Sequence, residues 1–195
     1  LGLRDYHTLL DIGCGSLRAG RLFIPYLQPG KYFGVEPERW LVEQGIENEL
    51  GQDLVRIKKP SFRYARDYDF AEFGISFDFL LAQSVFSHAP LTEIRTCLQE
   101  ACRSMHQSSI FAATFVEGAS DFGGATWVYP KKVEYSPKTI RHIVLDAGLV
   151  SERISHFHPS QTWYLLSRVE SQDEIVRHRQ RIDALASVSE YPVVA

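Results

Sequence analysis

The sequence predicts an α/β fold, in which helices cover both faces of a mostly parallel β-sheet. Short apolar runs alternate with stretches of helical periodicity along most of the chain, which is the pattern of repeated βαβ units. The run over 76–83 is almost continuously apolar, as expected for a strand that is buried on both faces. With 195 residues, 45% of them hydrophobic, the chain is long enough for one domain with a real core.

Three strands and two helices are predicted in the first half of the chain. In order, they are a strand over 9–12, a helix over 17–27, a strand over 32–36, a helix over 38–50 and a strand over 62–65. Apolar residues spaced three or four apart support both helices, and Pro29-Gly30 and Gly51 end them. The stretch over 52–61 is basic and contains a proline, so it is interpreted as a connection.

The second half continues the alternation and closes with a hairpin. Its elements are a strand over 76–83, a helix over 90–105, a strand over 109–116, a helix over 136–147, two strands over 150–157 and 162–169, and a helix over 171–187. Ser136-Pro137 is a strong helix start, because serine caps the first turn and proline fits the first helical position. We predict one domain over 1–169 and a C-terminal helical tail over 170–195.

Composition excludes several functional classes. A net charge of -3 without a long basic run gives no electrostatic footprint for duplex nucleic acid. No apolar run approaches the roughly 20 residues that span a bilayer, so no membrane partner is predicted. The three cysteines form no C-x-x-C pair, which indicates neither a disulfide framework nor a cysteine-rich zinc site and suits the cytoplasm. The sequence predicts no metal site and leaves the oligomeric state and any upstream chain open.

A glycine-rich turn follows the first predicted strand. Asp11 precedes Gly13 and Gly15, and a helical pattern begins directly after them. Glycine lets a ligand lie against the main chain, and open parallel sheets bind ligands at the carboxyl ends of their strands. The dinucleotide fingerprint G-x-G-x-x-G fails here, because Arg18 stands at its third glycine. The turn is therefore predicted to be the floor of a cofactor site of another kind.

The D-x-G-x-G pattern of Asp11, Gly13 and Gly15 resembles motif I of the class I S-adenosylmethionine (SAM)-dependent methyltransferases. The sequence departs from that motif at Leu17, where the family usually has its last glycine. The resemblance implies that the acid lies beside the methionine end of SAM, and that the turn with Cys14 lies along its ribose and amino-acid parts. It also implies a Rossmann-like three-layer sandwich with a seven-stranded sheet of order 3-2-1-4-5-7-6 and an antiparallel terminal hairpin.

Further cofactor contacts are expected at the ends of the next two strands. Glu36 ends the second strand, where an acid of a βαβ unit hydrogen-bonds both ribose hydroxyls of an adenosine, and Pro37 follows it. Asp67 lies just beyond the third strand, where the resemblance implies an acid that meets the adenine amino group. Asp69 competes with it for that role. Trp40 is interpreted either as a neighbour of the adenine or as a core residue.

The stretch from Phe77 to Pro90 resembles motif IV and the following loop of small-molecule methyltransferases. The resemblance implies that Gln83 and Ser84 contact the cofactor and that the loop passes beside the transferable methyl group. His88 on this loop would act as a general base for an acceptor that must lose a proton, since histidine titrates near neutral pH. Its alternative role is to cap a backbone group or shape the pocket.

The long connection over 117–135 is the predicted acceptor-binding region. Long loops with aromatic residues at the carboxyl edge of a sheet often carry substrate recognition, and Trp127 and Tyr129 are the candidates here, with Glu117 a weaker one. The alternative is an exposed flap whose aromatic residues pack on the domain.

The sequence therefore predicts a SAM-dependent methyltransferase that moves a methyl group to an oxygen or nitrogen atom of a small molecule. A Rossmann-type nucleotide-binding oxidoreductase is the first alternative, against which the missing third glycine and the terminal hairpin count. A non-catalytic SAM-binding module is the second, since Asp11 and Glu36 do not separate a binder from an enzyme. A methyltransferase that acts on RNA or protein is the third alternative. The acidic charge balance, and Gln83-Ser84-Val85-Phe86 in place of an N/D-P-P-Y/F-type motif, disfavour methylation of base amino groups. The acceptor and the methylated atom are not predicted.

Overall fold

A computed structural model, which describes residues 1–188, contains a seven-stranded sheet flanked by helices. The strands are β1 (Leu9–Ile12), β2 (Tyr32–Val35), β3 (Ser61–Arg63), β4 (Phe77–Ala82), β5 (Met105–Phe115), β6 (Leu149–Ile154) and β7 (Thr162–Arg168). The helices are α1 (Gly20–Tyr26), α2 (Arg39–Gly45), α3 (Gln52–Lys58), α4 (Leu91–Ser104), α5 (Pro137–Asp146) and α6 (Gln172–Val188). A π-helical turn (Ile46–Leu50) follows α2, and short 3₁₀ turns cover Phe70–Phe73 and Val169–Ser171.

The strand order is β3-β2-β1-β4-β5-β7-β6, which confirms the predicted topology. Neighbouring strands from β3 to β5 are parallel, whereas β7 runs antiparallel to both β5 and β6. The carboxyl ends of β1 to β6 therefore lie at one edge of the sheet. The chain order reverses between β1 and β4, which is where sheets of this kind bind ligands.

The two faces of the sheet carry separate cores, because successive residues of a strand point to opposite sides. Leu10 and Ile12 of β1 belong to the cluster that packs against α4 and α5. Leu9 belongs to the cluster on the other face, together with Ile24 of α1 and Ile175 of α6. The predicted three-layer arrangement is thus confirmed. None of the helices in the described part of the chain is long and apolar enough to cross a membrane.

The structure corrects three predicted elements. The stretch over 52–61, predicted as a connection, contains α3, whose Leu54 packs partly buried against the second core and whose Lys58 donates to the Leu27 carbonyl at 2.7 Å. The helix predicted from residue 17 begins only at Gly20. The strand predicted from 109 begins at Met105, because Met105 already pairs with Phe77. The tail helix is present as α6, and 189–195 of the predicted tail lie outside the described residues.

A hydrogen-bonded cluster fastens the amino ends of β1, β4 and β5. Asp78 Oδ2 accepts from the N–H and the hydroxyl of Thr8 at 2.7 and 2.8 Å, and Asp78 Oδ1 lies 3.1 Å from His106 Nε2. Partial burial raises the pKa of Asp78, but the hydrogen bonds from Thr8 and His106 outweigh it and hold that pKa below its ordinary value. The carboxylate therefore stabilises the edge of the sheet opposite the predicted site.

Candidate active site

Loops after β1 and β4 meet at the point where the strand order reverses. Gly13 has a left-handed φ of 67°, and a Cβ there would lie 2.7 Å from Val85 Cγ2, so glycine favours this close approach of the two loops. The N–H groups of Gly13 and Cys14 both donate to the Val35 carbonyl, at 2.8 and 3.1 Å, which ties the turn to the end of β2. The D-x-G-x-G turn is therefore held between β2 and the loop over 83–90.

Leu17 has a left-handed backbone conformation, which is unusual for a leucine. Its φ of 59° lies in the left-handed region, where a leucine costs about 1–2 kcal/mol and where the family's usual glycine would cost little. This φ also explains why α1 begins only after residue 17. The leucine side chain is fully buried in a cluster with Cys14 and Val42, which offsets the strain by roughly 1.5–3 kcal/mol. Gly45 of α2 makes this packing feasible, since a Cβ there would come 2.4 Å from the Ser16 carbonyl oxygen.

Glu36 lies directly after β2 with its carboxylate aimed at the turn. Its Oε2 accepts from the Gly15 N–H at 3.1 Å and its Oε1 from the Glu38 N–H at 3.0 Å. The residue is only 8% exposed, so both oxygens are fixed in position. Each carboxylate oxygen keeps a further lone pair for a ligand hydroxyl. Pro37, which follows it, is exposed at the same edge.

Asp11 is the second carboxylate of the site and lies on the α1 face of β1. It is buried, and the Tyr32 hydroxyl donates to its Oδ2 at 2.6 Å. Burial raises the pKa of Asp11 from 3.8 to about 7; the Tyr32 hydrogen bond lowers it and the charge of Glu36 raises it further. Asp11 and Glu36 are thus close enough to interact electrostatically at the tips of neighbouring strands.

Cys14 is unsuited to nucleophilic chemistry. The side chain is buried in a cluster with Leu17 and Val42, and burial together with the charges of Asp11 and Glu36 raises the pKa of its thiol well above the ordinary value. A neutral thiol is a poor nucleophile. Cys14 therefore packs as a small apolar group in the turn, and its expected contact with the cofactor stays a prediction.

The loop after β4 is held by two side chains that are distant in sequence. Ser84 has a left-handed φ of 60°, its N–H donates to Thr114 Oγ1 at 2.8 Å, and its hydroxyl accepts from Gln161 Nε2 at 2.8 Å. The Oε1 atom of Gln161 is buried without a hydrogen-bond partner within the described structure. Gln83 is exposed next to Ser84. Sequence reasoning missed the contact of Gln161 with Ser84, since only the hairpin brings them together.

His88 is anchored through one ring nitrogen. Its Nδ1 lies 2.6 Å from the Lys131 carbonyl oxygen in the long loop over 117–135. A carbonyl only accepts, so Nδ1 carries the hydrogen and Nε2 keeps its lone pair in the neutral ring. The ring also meets the edge of Tyr129, with centroids 5.1 Å apart. Tyr129 is 78% and Trp127 43% exposed, so this aromatic part of the loop projects into solvent beside His88.

Asp67 is engaged by an arginine beyond the end of β3. Arg63 donates to both of its oxygens, at 2.5 and 3.1 Å. These hydrogen bonds, with a smaller one from the Asp69 N–H, lower the pKa of Asp67 to about 2. Asp67 is thus an ionised, largely exposed acid at the β3 end, and its adenine contact stays a prediction. Trp40, at the start of α2, is 57% exposed rather than part of the core.

Several solved structures that share this fold are methyltransferases. Magnesium protoporphyrin IX methyltransferase (ChlM) from Synechocystis PCC 6803 with bound SAM matches with a TM-score of 0.62 at 16% identity, over 86% of this chain and 72% of that chain. The CcbJ methyltransferase from Streptomyces caelestis gives 0.65 at 13% identity, over 86% and 91%. The glycopeptide N-methyltransferase MtfA, complexed with S-adenosylhomocysteine (SAH), gives 0.63 at 9% identity, over 84% of each chain. No protein-family model and no curated protein matches the chain.

The chain has the class I SAM-dependent methyltransferase fold. In this chain Leu17 is buried in the glycine turn, and an exposed aromatic loop lies beside His88. At identities of 16% or less the similarity concerns the fold. The cofactor and the reaction rest on this chain's own residues.

Proposed function

We propose that this protein is a SAM-dependent methyltransferase that transfers a methyl group to an oxygen or nitrogen atom of a small-molecule acceptor. The observation that carries the proposal is the contact of Glu36 with the glycine turn, 3.1 Å from the Gly15 N–H. A ligand on this turn would meet a fixed carboxylate where parallel-sheet folds bind the ribose of an adenosine. The oxidoreductase alternative is disfavoured, because β7 is antiparallel to its neighbours.

The residues around the turn fit the groups of SAM. Glu36 offers a lone pair on each oxygen to the ribose hydroxyls, and Asp11 places a titrating acid beneath the turn. Ionised Asp11 favours a ligand that carries a positive ammonium and a positive sulfonium, as SAM does. The exposed indole of Trp40 follows Glu36 in the chain and offers a flat apolar face to an adenine.

SAM supplies a methyl group on a sulfonium, which is already a good leaving centre. The protein then has to bring the acceptor atom into line with that methyl group and keep it there. The loop over 83–90 is suited to this task, because Thr114 and Gln161 hold Ser84 in one conformation. We propose that Gln83 and Ser84 line the cofactor and that His88 faces the acceptor.

His88 is the proposed general base for an acceptor that carries a proton on its nucleophilic atom. The contact of Nδ1 with the Lys131 carbonyl leaves Nε2 as the proton acceptor. Once protonated, the ring keeps its Nδ1–H bond to Lys131, which stabilises the imidazolium in place. Trp127 and Tyr129 are proposed to contact the acceptor, and their exposed rings favour an acceptor with an apolar surface.

Ligand binding is the first test. In a thermal-shift panel SAM and SAH should raise the melting temperature, whereas NAD and NADP should not. In calorimetry, Glu36→Ala should weaken SAH binding about tenfold or more, since hydrogen bonds to a charged group contribute roughly 1.5–3 kcal/mol each. Glu47→Ala removes an exposed carboxylate from the π-helical turn and should keep wild-type affinity. Equal SAH affinity for Glu36→Ala and wild type would remove Glu36 from the site.

Turnover separates an enzyme from a non-catalytic binder. Release of SAH is measured with a panel of phenols, amines and carboxylic acids as acceptors. His88→Asn is the informative variant, because the asparagine amide can still donate to Lys131 but lacks a group at the Nε2 position. It should lower kcat about 10²-fold with unchanged SAH affinity. A kcat equal to wild type would show that His88 only shapes the loop, and SAH binding without turnover of any acceptor would favour the binder.

A further inference from the structure

A pocket of about 380 Å³ opens between α5 and the carboxyl half of β6. Its polar lining comes from Arg141 of α5, from β6 and β7, and from Glu117 just after β5. In the strand order, β6 lies three strands away from β4. The pocket is therefore separate from the cleft between β1 and β4, although both lie toward the same edge of the sheet.

The acids of this pocket already have cationic partners. Glu117 Oε1 lies 3.1 Å from Arg153 Nε and accepts from the Tyr164 hydroxyl at 2.5 Å. Glu152 alternates with Arg153 along β6, so its side chain turns to the other face, where it pairs with Arg179 of α6 at 2.9 Å. Each carboxylate is thus neutralised by an arginine.

The arginines of the pocket keep donors to spare. Arg141 forms no ion pair with any of the residues that the structure describes, and it leaves one positive charge unbalanced. Arg153 uses Nε toward Glu117, so its two terminal nitrogens remain for another acceptor. Ser151, two residues before Arg153 on the same face of β6, adds a neutral hydroxyl. Two guanidinium groups and a hydroxyl around one cavity suit a carboxylate or phosphate, which guanidinium binds through paired hydrogen bonds.

We propose that this pocket binds an anionic group, a carboxylate or a phosphate, through Arg141 and Arg153. Two sources have the same chemistry: an acidic part of the methyl acceptor, which rests on the proposed function, or a free anion that modulates the protein. The ion pair of Arg153 with Glu117 and the Tyr164 hydroxyl fix the floor of the pocket. Arg141 supplies the net charge that attracts the anion.

Anion binding is measured by calorimetry on the whole chain without cofactor, with benzoate, benzamide and inorganic phosphate as probes. Benzoate and phosphate should bind saturably, whereas neutral benzamide of similar shape should not. Arg141→Gln, which breaks no ion pair, and Arg153→Gln should each weaken binding about tenfold or more. Arg103→Gln is the control, because this exposed arginine ends α4 at the opposite edge of the sheet. Absence of saturable binding, equal binding of benzamide, or unchanged affinity in both variants would overturn the proposal.

The source of the anionic group is decided with the acceptor panel. If it belongs to the acceptor, Arg141→Gln should raise KM about tenfold for carboxylic acids and leave KM for neutral phenols and amines unchanged. If it is a free anion, phosphate should alter the turnover of neutral acceptors by wild type and not by Arg141→Gln. Anion binding is measured without SAM, so its failure is distinct from a failure of methyl transfer.

Discussion

Replacing Asp11 with asparagine removes a buried titratable charge and keeps the shape of the side chain. Burial raises the pKa of Asp11 from 3.8 to about 7, so between these values the native state holds a proton that the unfolded chain has lost. Proton uptake by the native state favours folding at low pH, and stability must fall as pH rises through this window. At about 1.4 kcal/mol per pH unit, the full effect is about 4 kcal/mol.

Asparagine does not titrate, so the stability of the variant does not fall in this way as pH rises. Between about pH 5 and about pH 8, the free energy of unfolding of Asp11→Asn should rise by about 2–3 kcal/mol relative to wild type. Urea unfolding followed by tryptophan fluorescence at several pH values gives both curves. Curves that run parallel over this range would refute the assignment of a raised pKa to Asp11.

The same variant connects stability to cofactor binding. If ionised Asp11 attracts the positive charges of SAM, wild-type affinity should increase as pH rises through about 7, where the carboxyl loses its proton. Asp11→Asn should bind SAM more weakly and without this pH dependence. A variant that is more stable at high pH but a poorer binder would mean that the site keeps a destabilising carboxyl for its ligand.

Two further substitutions test other parts of the fold by urea unfolding. Asp78→Asn should lower the free energy of unfolding at neutral pH by about 1 kcal/mol, because this partly exposed carboxylate loses charge-assisted hydrogen bonds. Because hydrogen bonding lowers the pKa of Asp78, the ionised carboxylate stabilises the fold above the ordinary carboxyl range. The difference in free energy of unfolding between Asp78→Asn and wild type should therefore shrink as pH falls through that range. This pH dependence has the opposite sign to that of Asp11. Leu17→Gly should destabilise no more than Leu17→Ala, which should lose about 2–4 kcal/mol, because glycine also relieves the left-handed strain. A glycine variant clearly less stable than the alanine variant would contradict the account of Leu17.

The order of elements could be predicted because it depends on local pattern. A strand that is buried on both faces requires a run of apolar residues, and a crossover helix requires apolar residues spaced three or four apart. The closing antiparallel pair was predicted from two strand patterns joined by a short connection. Asp11 and Glu36 could also be placed at the ends of the first two strands from local pattern, because their spacing matches one helix and one strand of a βαβ unit. The helix α3 was not predicted, because the basic residues around Lys58 and the nearby Pro60 favoured a connection. Its apolar residue Leu54 packs against the core, and this tertiary contact supports the helix.

Sequence alone thus determined the α/β class, the strand order through its family resemblance, and the residues at the tips of β1 and β2. Only the tertiary structure placed Gln161 on Ser84, the Lys131 carbonyl on His88, and Arg141 in the same pocket as Arg153. The geometry of the backbone sets which residues of a strand or helix share a face, and the sequence shows this as a periodic pattern of apolar residues. Which residues 12 to 77 positions apart come together depends on how the layers pack, and no local sequence pattern contains that information.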